Sequence, residues 1–283
     1  MQTYDSSRRP RAVPTVVALA LSLLTLAAQA GHAQTDYYNL DRGRPLRTED
    51  ALPIERHALE WQIAPFRISG ASGAGSVLSL EPELAWGALP RTQIELGFPL
   101  ERWQRGGRVV TGGAGVDVSV LHALNAETMT LPALALAARV LVPMGAFAAD
   151  RAYPTFTAIA TRTTSLGRLH ANASYTAGAM PESPATGAEE THGELSRWEA
   201  GIAVDRPFPI RAFLVGAELV ARSPLERGAS VEWSAASGVR YQLSPRLALD
   251  LGAGRELSRD GEWFVTFGSA LSFALLHRFG GVR

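Results

Sequence analysis

Apolar and polar side chains alternate along most of the chain after residue 57. The first such segment places Leu59, Trp61 and Ile63 in alternation with Glu60 and Gln62. Segments of this kind, each about ten residues long and separated by turn-forming residues, continue to residue 273. A period of two puts successive side chains on opposite faces of an extended strand. The pattern therefore predicts about twelve β-strands.

The connections between these segments alternate in length. The short ones are residues 89–91, 125–130, 165–168, 206–209 and 244–246. The longer ones are residues 70–76, 102–112, 143–153, 180–195, 223–230 and 256–261. Short periplasmic turns on one side and longer extracellular loops on the other are typical of outer-membrane barrels. An even strand count places both chain ends on the short-turn side.

The pattern predicts an all-β fold, namely a closed antiparallel transmembrane β-barrel formed by residues 57–279. Lipid offers no hydrogen-bond partners to the backbone, so a sheet that spans a membrane must close on itself. Its apolar face then points to lipid and its polar face to the lumen. The alternative is a soluble periplasmic β-sandwich or a lipocalin-like barrel. Pro65 and Pro82 are expected to mark bulges or strand ends, because proline donates no backbone hydrogen bond.

Tryptophans near the predicted strand ends are candidates for an interfacial aromatic girdle. These candidates are Trp61, Trp86, Trp198, Trp233 and Trp263.

The beginning of the chain predicts export. Residues 1–33 combine an arginine-rich start (8–11), an apolar run (13–28) and small residues at Gly31 and Ala33, the order of a cleavable signal peptide. The apolar run is shorter than the roughly 20 residues of a spanning helix. We expect cleavage near Ala33 and an outer-membrane location in a diderm bacterium. The expected partners are outer-membrane lipid and the outer-membrane insertion machinery.

Residues 34–56 follow as a polar segment without a regular period. We interpret this segment as a periplasmic lead-in or as a plug of the barrel lumen, with plain flexibility as the alternative. This segment and the 180–195 loop are candidate gates.

Composition excludes several kinds of chemistry. The chain has no cysteine, so it contains no disulfide, thiolate metal site or cysteine nucleophile. Its 27 basic and 27 acidic residues balance, which gives no indication of nucleic-acid binding. His170 and Ser174 share one strand face, but at about 3.3 Å per residue they are too far apart to act as base and nucleophile. We therefore expect no catalytic site, metal site or cofactor.

Charged residues on the polar face are the candidates for lining the lumen. They are Glu81, Glu83, Glu95, Asp117, Arg139, Glu199, Glu218, Arg240 and Asp250. A salt-bridged, packed interior and an acidic pore that favours cations or neutral polar solutes both fit this set. Twelve strands lie between the roughly 8 that fill their interior and the roughly 16 that leave a water channel, so both readings stay open.

The exported chain resembles the outer-membrane β-barrel superfamily. More narrowly, it resembles the family known as the MetA-pathway of phenol degradation, through its signal peptide, its strand number and its last strand, WFVTFGSALSF (263–273). The resemblance covers most of residues 57–279 and implies a channel or transporter for small compounds, aromatic ones included. We accordingly expect passive or facilitated diffusion of an unidentified small solute. A non-conducting structural or adhesive barrel and a lipid-modifying enzyme are the alternatives.

Overall fold

The computed structural model describes residues 39–71, 75–105, 107–149, 151–177, 198–224, 229–258 and 262–274. The predicted signal peptide (1–33) and the predicted long loop at 180–195 lie outside the described residues. Among the residues described, no helix is long and apolar enough to cross a membrane.

The described chain forms one antiparallel sheet of fourteen strand segments. The segments are β1 (Ala58–Ala71), β2 (Gly75–Leu89), β3 (Thr92–Gly97), β4 (Leu100–Arg105), β5 (Arg108–Gly113), β6 (Gly115–Asn125), β7 (Ala133–Pro143), β8 (Pro154–Thr163), β9 (Arg168–Thr176), β10 (Trp198–Pro207), β11 (Phe213–Arg222), β12 (Glu232–Ser244), β13 (Leu247–Glu256) and β14 (Trp263–Ala274). β1 pairs with β14 on one side and with β2 on the other, which closes the sheet into a barrel.

The fourteen segments amount to twelve strands. β3 and β4 both pair with β2, one with each half of it, so together they form one interrupted strand. The interruption contains Pro99, which has no N–H for the ladder, and the Phe98 N–H donates across it to the Pro82 carbonyl at 3.0 Å. β5 and β6 continue each other through Ala114 in the same way. The predicted twelve-stranded closed antiparallel barrel is confirmed.

The first strand pair contains an irregularity at a predicted position. The β1–β2 register shifts between Ile63 and Phe66, so Pro65 marks a bulge as predicted. The predicted long loop at 102–112 is wrong, because β4 and β5 form a hairpin there with Gly107 at φ 79°. Alternation could not reveal β5, since Val109 and Val110 are both about half exposed and neither face of that segment is buried.

The two faces of the barrel have opposite character. Phe156, Ile202 and Leu251 on the outer face are more than half exposed. Gln62 and Arg240 on the inner face are at most 1% exposed. A soluble protein would bury the first set and expose the second, whereas a membrane barrel presents its apolar face to lipid. The predicted outward direction of the apolar side chains is what the structure shows.

Candidate functional site

Residues 39–55, which we call the inner segment, lie inside the barrel before the chain enters β1. Arg44, Leu46 and Ala51 of this segment are at most 1% exposed. The inner segment contacts wall residues near the turn-side ends of strands, such as Gln93 at the start of β3 and Thr161 near the end of β8. It also contacts Glu199 near the loop-side end of β10 and Thr266 in the loop-side part of β14, so it is not confined to one end of the lumen.

Apolar contacts hold the inner segment at one wall of the barrel. Leu46 packs in a buried cluster with Leu214 and Phe264, both of which point inward. Burial of a leucine side chain stabilises a protein by about 1.5–3 kcal/mol. Inward-facing apolar residues depart from the alternation read in the sequence, and the inner segment explains them because it supplies their apolar partners.

A second apolar cluster holds the inner segment against the part of the wall formed by β6, β7 and β8. Ala51 is fully buried there against Leu121 and Ile159, with alanines of β6 and β7 around them. The small wall side chains leave room for the segment's backbone. The structure also settles the faces of β8, whose period was ambiguous in the sequence: Ile159 and Thr161 point inward and Phe156 outward.

Glu218 binds the backbone of the inner segment. Its two carboxylate oxygens accept the Arg47 N–H at 2.9 Å each, and one also accepts the Thr48 N–H at 2.8 Å. The Arg47 side chain in turn donates to Glu199 at 3.0 Å. Hydrogen bonds to an ionised acceptor are the stronger class, so this carboxylate is a principal anchor of the segment.

A buried ion network fixes the start of the inner segment. Arg44 contacts Asp41 at 2.5 Å and Glu60 at 3.3 Å, and its backbone carbonyl accepts from Arg240 at 3.1 Å. Arg240 also pairs with Asp250 at 2.6 Å and with Asp41 at 3.1 Å. Removing one partner would leave a buried charge uncompensated, which typically destabilises a protein by about 3–5 kcal/mol.

Asp50 anchors the other end of the segment. Its carboxylate accepts the Leu40 and Leu52 N–H groups at 3.0 Å each and lies 3.4 Å from Arg168 of the wall. Burial raises its pKa to about 6, against the opposing effect of Arg168. Burial and the nearby Glu95 raise the pKa of Glu49 to about 7. The inner segment therefore carries two carboxyl groups that titrate near neutral pH.

His170 belongs to the same anchoring system. Its Nδ1 lies 3.0 Å from the Thr161 hydroxyl and its Nε2 lies 3.2 Å from Asp205. The Asp205 carboxylate can only accept, so Nε2 donates to it; in that tautomer Nδ1 accepts from the Thr161 hydroxyl, whose oxygen accepts the Ala51 N–H at 3.0 Å. The three side chains resemble a hydrolytic triad in connectivity. All are at most 3% exposed beneath the segment, so the arrangement has no room for a substrate.

A second group of charged wall residues, on β2, β3, β6 and β7, forms hydrogen bonds and ion pairs within the wall. Arg139 pairs there with Glu81 and with Asp117, at 2.5 Å each. Glu95 accepts from the Ser119 hydroxyl at 2.5 Å and from the Gln93 amide. This wall carries more carboxylates than arginines among the described residues.

All nine predicted lining residues occupy inward-facing positions, in two groups. One group lies on β2, β3, β6 and β7 and consists of Glu81, Glu83, Glu95, Asp117 and Arg139. Glu199, Glu218, Arg240 and Asp250 instead contact the inner segment. Their role in lining a conducting pore stays a prediction. Sequence reasoning missed the anchors Arg168, His170 and Asp205, because their partners lie far away along the chain.

The predicted girdle tryptophans all occupy outward positions in the strands. Trp61 and Trp86 lie toward the turn side. Trp198, Trp233 and Trp263 lie toward the loop side and are between 39% and 48% exposed. Two levels of tryptophan match the two interfaces of a membrane, and their contact with lipid headgroups stays a prediction.

Within the described part of the chain, no group of three or more His, Asp or Glu side chains is placed to hold a metal ion.

Solved structures with a similar fold are outer-membrane barrels. The COG4313 outer membrane channel from Pseudomonas putida F1 matches with a TM-score of 0.51 and 10% identity, over 83% of this chain and 100% of that one. The KdgM porin matches with a TM-score of 0.46 and 12% identity, over 76% and 99% of the two chains. Outer membrane phospholipase A from Escherichia coli matches with a TM-score of 0.41 and 10% identity, over 75% and 92%.

Identities this low show a shared fold and nothing finer, and of these three matches only the first, with a TM-score above 0.5, supports that statement. No protein-family model matches the chain, and no curated protein matches its sequence. Membership of the MetA-pathway family therefore stays a prediction. The closed barrel with an apolar exterior has the architecture of outer-membrane barrels.

Proposed function

We propose that this protein is a gated outer-membrane channel whose lumen is closed, in the structure described, by its own inner segment. The observation that carries this proposal is that charged, inward-facing wall residues bind the backbone and the side chains of the inner segment. Glu218 accepts two of its backbone N–H groups, and Arg240 binds one of its backbone carbonyls. A barrel that needed no movable segment could fill its interior with apolar wall side chains.

Passage of a small solute then requires the inner segment to move. Without it, the lumen would be lined by carboxylates, arginines, threonines and serines, which water and small polar solutes wet readily. The acidic surplus on the wall formed by β2 and β3, around Glu81, Glu83 and Glu95, supports selection by charge in addition to width. The solute is a small molecule, aromatic or polar, that is driven by its own gradient.

A non-conducting structural barrel is the second candidate. The density of contacts between the inner segment and the wall favours it, because Arg44, Asp50 and Ala51 are all buried and bonded. A lipid-modifying enzyme is not proposed, because the Thr161–His170–Asp205 chain is covered by the inner segment.

Export and assembly complete the proposal. Residues 1–33 act as a signal peptide that is removed near Ala33, and the insertion machinery of the outer membrane then folds residues 57–279 into the barrel. Migration of the mature protein on gels with and without heating, together with membrane fractionation, tests this assignment.

Conductance of a deletion variant separates the two candidates. Mature protein and a variant that lacks residues 39–54 are inserted into planar bilayers, and single-channel currents are recorded. A gated channel predicts rare or small openings of the intact protein and steady, larger currents from the deletion variant. If the deletion variant folds, by its heat-dependent gel migration, and does not conduct, the channel proposal is wrong and the structural barrel is favoured.

A further inference from the structure

Arg67 occupies a distinctive position on the lumen wall. It lies in β1 beyond the bulge, paired with Ser79 of β2 and Thr266 of β14. The Thr266 hydroxyl donates to the Pro45 carbonyl of the inner segment at 3.3 Å. Arg67 therefore lies beside the inner segment, in the loop-side part of β1, and its side chain is half-buried.

The guanidinium of Arg67 stacks on an aromatic ring. Its central carbon lies 3.8 Å from the centroid of the Phe264 ring. Within the part of the chain that the structure describes, this guanidinium donates no hydrogen bond and has no carboxylate within 4.0 Å. A cation–π contact uses none of the N–H groups, so all of the guanidinium donors stay available.

Other inward-facing arginines of the described wall behave differently, because each pairs with a carboxylate. Arg139 pairs with Asp117, Arg168 with Asp205, Arg222 with Glu232 and Arg240 with Asp250, at distances from 2.5 to 2.7 Å. Wall arginines in this barrel are thus normally neutralised by a neighbouring acid. Arg67 departs from that rule.

The ring beneath Arg67 is held in place. Phe264 is 6% exposed and packs in the cluster that contains Leu46 and Leu214. Gly254 on the neighbouring strand makes room for it, since a Cβ at that position would lie 2.2 Å from the ring. A fixed platform limits the conformations of the stacked guanidinium, so less entropy is lost when a ligand binds to it.

The charged groups around Arg67 largely neutralise one another. Arg47, Glu256 and Arg222 act on it electrostatically from neighbouring elements, as does Glu262. Arg47 is already 3.0 Å from Glu199, and Arg222 is bonded to Glu232 at 2.7 Å and lies 3.8 Å from Glu256. Arg67 is thus the cation of this group whose hydrogen-bonding capacity is unused.

We propose that Arg67, stacked on Phe264, is a binding site for the carboxylate group of a small anionic solute in the loop-side lumen. The planar fork of a guanidinium matches a carboxylate with two parallel hydrogen bonds. Ser79 is directly opposite Arg67 in the register, so its hydroxyl lies on the same face of the sheet beside the guanidinium. This inference rests on the proposed channel function, because it names carboxylate-bearing compounds as the class of solute. The carboxylates around Glu81, Glu83 and Glu95 act on the passage of small free ions, which is measured separately as cation preference.

Equilibrium binding of benzoate to the full-length mature protein in detergent micelles tests the site. Saturation-transfer NMR reports the bound ligand and a titration gives its Kd, with the neutral isostere benzamide as the ligand control. The variants are R67Q, R67K and, as a charge-matched control, R56Q, since Arg56 is exposed just before β1. All variants are first shown to be folded by heat-dependent gel migration.

We expect saturable benzoate binding, clearly weaker benzamide binding, and unchanged affinity in R56Q. R67Q should weaken benzoate binding about tenfold or more, and R67K by less, because lysine keeps the charge and loses the fork. Equal affinities for benzoate and benzamide, no saturable binding by the wild-type protein, or wild-type affinity in R67Q would each overturn the proposal. The measurement needs no current, so a barrel that binds benzoate and never conducts would contradict the channel function alone.

Discussion

Glu218→Gln should release the inner segment from the wall while the barrel stays folded. The Glu218 carboxylate accepts from the Arg47 and Thr48 N–H groups at 2.8–2.9 Å. In the glutamine variant one of these oxygens becomes an NH₂ group that faces N–H donors, and the negative charge disappears. A hydrogen bond to a charged group contributes about 1.5–3 kcal/mol, so weakening two of them destabilises the docked segment by about 3 kcal/mol.

A loss of about 3 kcal/mol changes the ratio of docked to undocked segment by about a hundredfold, since each 1.4 kcal/mol is about tenfold. Amide hydrogen exchange of residues 39–55 measures this ratio directly, because those amides exchange when the segment undocks. Exchange of strand amides in β11 and β12 serves as the internal reference for an intact barrel.

Glu232→Gln is the matched control. Glu232 is also an inward-facing, buried glutamate, on the strand next to Glu218, and it pairs with Arg222 of the wall at 2.7 Å. Its substitution should leave exchange of the inner segment within a fewfold of the wild type. If Glu218→Gln leaves that exchange unchanged, the reasoning that this carboxylate anchors the segment fails.

Three further expectations concern the same lumen. Burial raises the pKa of Asp50 from 3.8 to about 6 and that of Glu49 from 4.5 to about 7 in the docked segment, so docking takes up protons and weakens as pH rises from about 4 to about 7. Exchange of the inner segment, corrected for intrinsic rates, should therefore be faster at about pH 8 than at about pH 5, and a pH-independent rate would contradict this. Gly201→Val should loosen the segment by about 1–3 kcal/mol, because a Cβ there lies 2.8 Å from the Thr48 hydroxyl; unchanged Thr48 exchange would argue against that clash. In the conducting deletion variant, Glu81→Gln with Glu95→Gln should reduce cation preference, measured as reversal potential in a salt gradient, and an unaltered potential rejects the acidic lining.

Some features of the barrel could be predicted because they are local in sequence. The alternation of Leu59, Trp61 and Ile63 with polar neighbours reflects the pleat of a single strand. The bulge at Pro65 follows from the missing N–H of one residue. The number of strands, the direction in which their side chains face and the side of the barrel with short turns could therefore be predicted from short windows of sequence. The exception is β5, where both faces are exposed.

The inner segment was not accessible in that way. Its anchors join residues far apart along the chain, such as Thr48 and Glu218, or Arg44 and Asp250. Residues 34–56 have no regular period, so a periplasmic lead-in, a lumen plug and a flexible segment fit their sequence equally well. Leu214 and Phe264 are apolar residues that face the lumen, contrary to the simple rule of apolar outside and polar inside. They face inward because they pack against Leu46 of the inner segment.

The sequence by itself determined a closed, lipid-facing barrel, because the period of two and the lack of hydrogen-bond partners in lipid leave few other folds for an exported chain of this pattern. Only the tertiary structure decided which charged lumen residues contact the inner segment and which pair with one another. It also decided that Arg67 stacks on an aromatic ring and does not pair with an acidic residue. Such pairings depend on barrel closure and strand register, which bring residues together across the lumen irrespective of their separation in sequence.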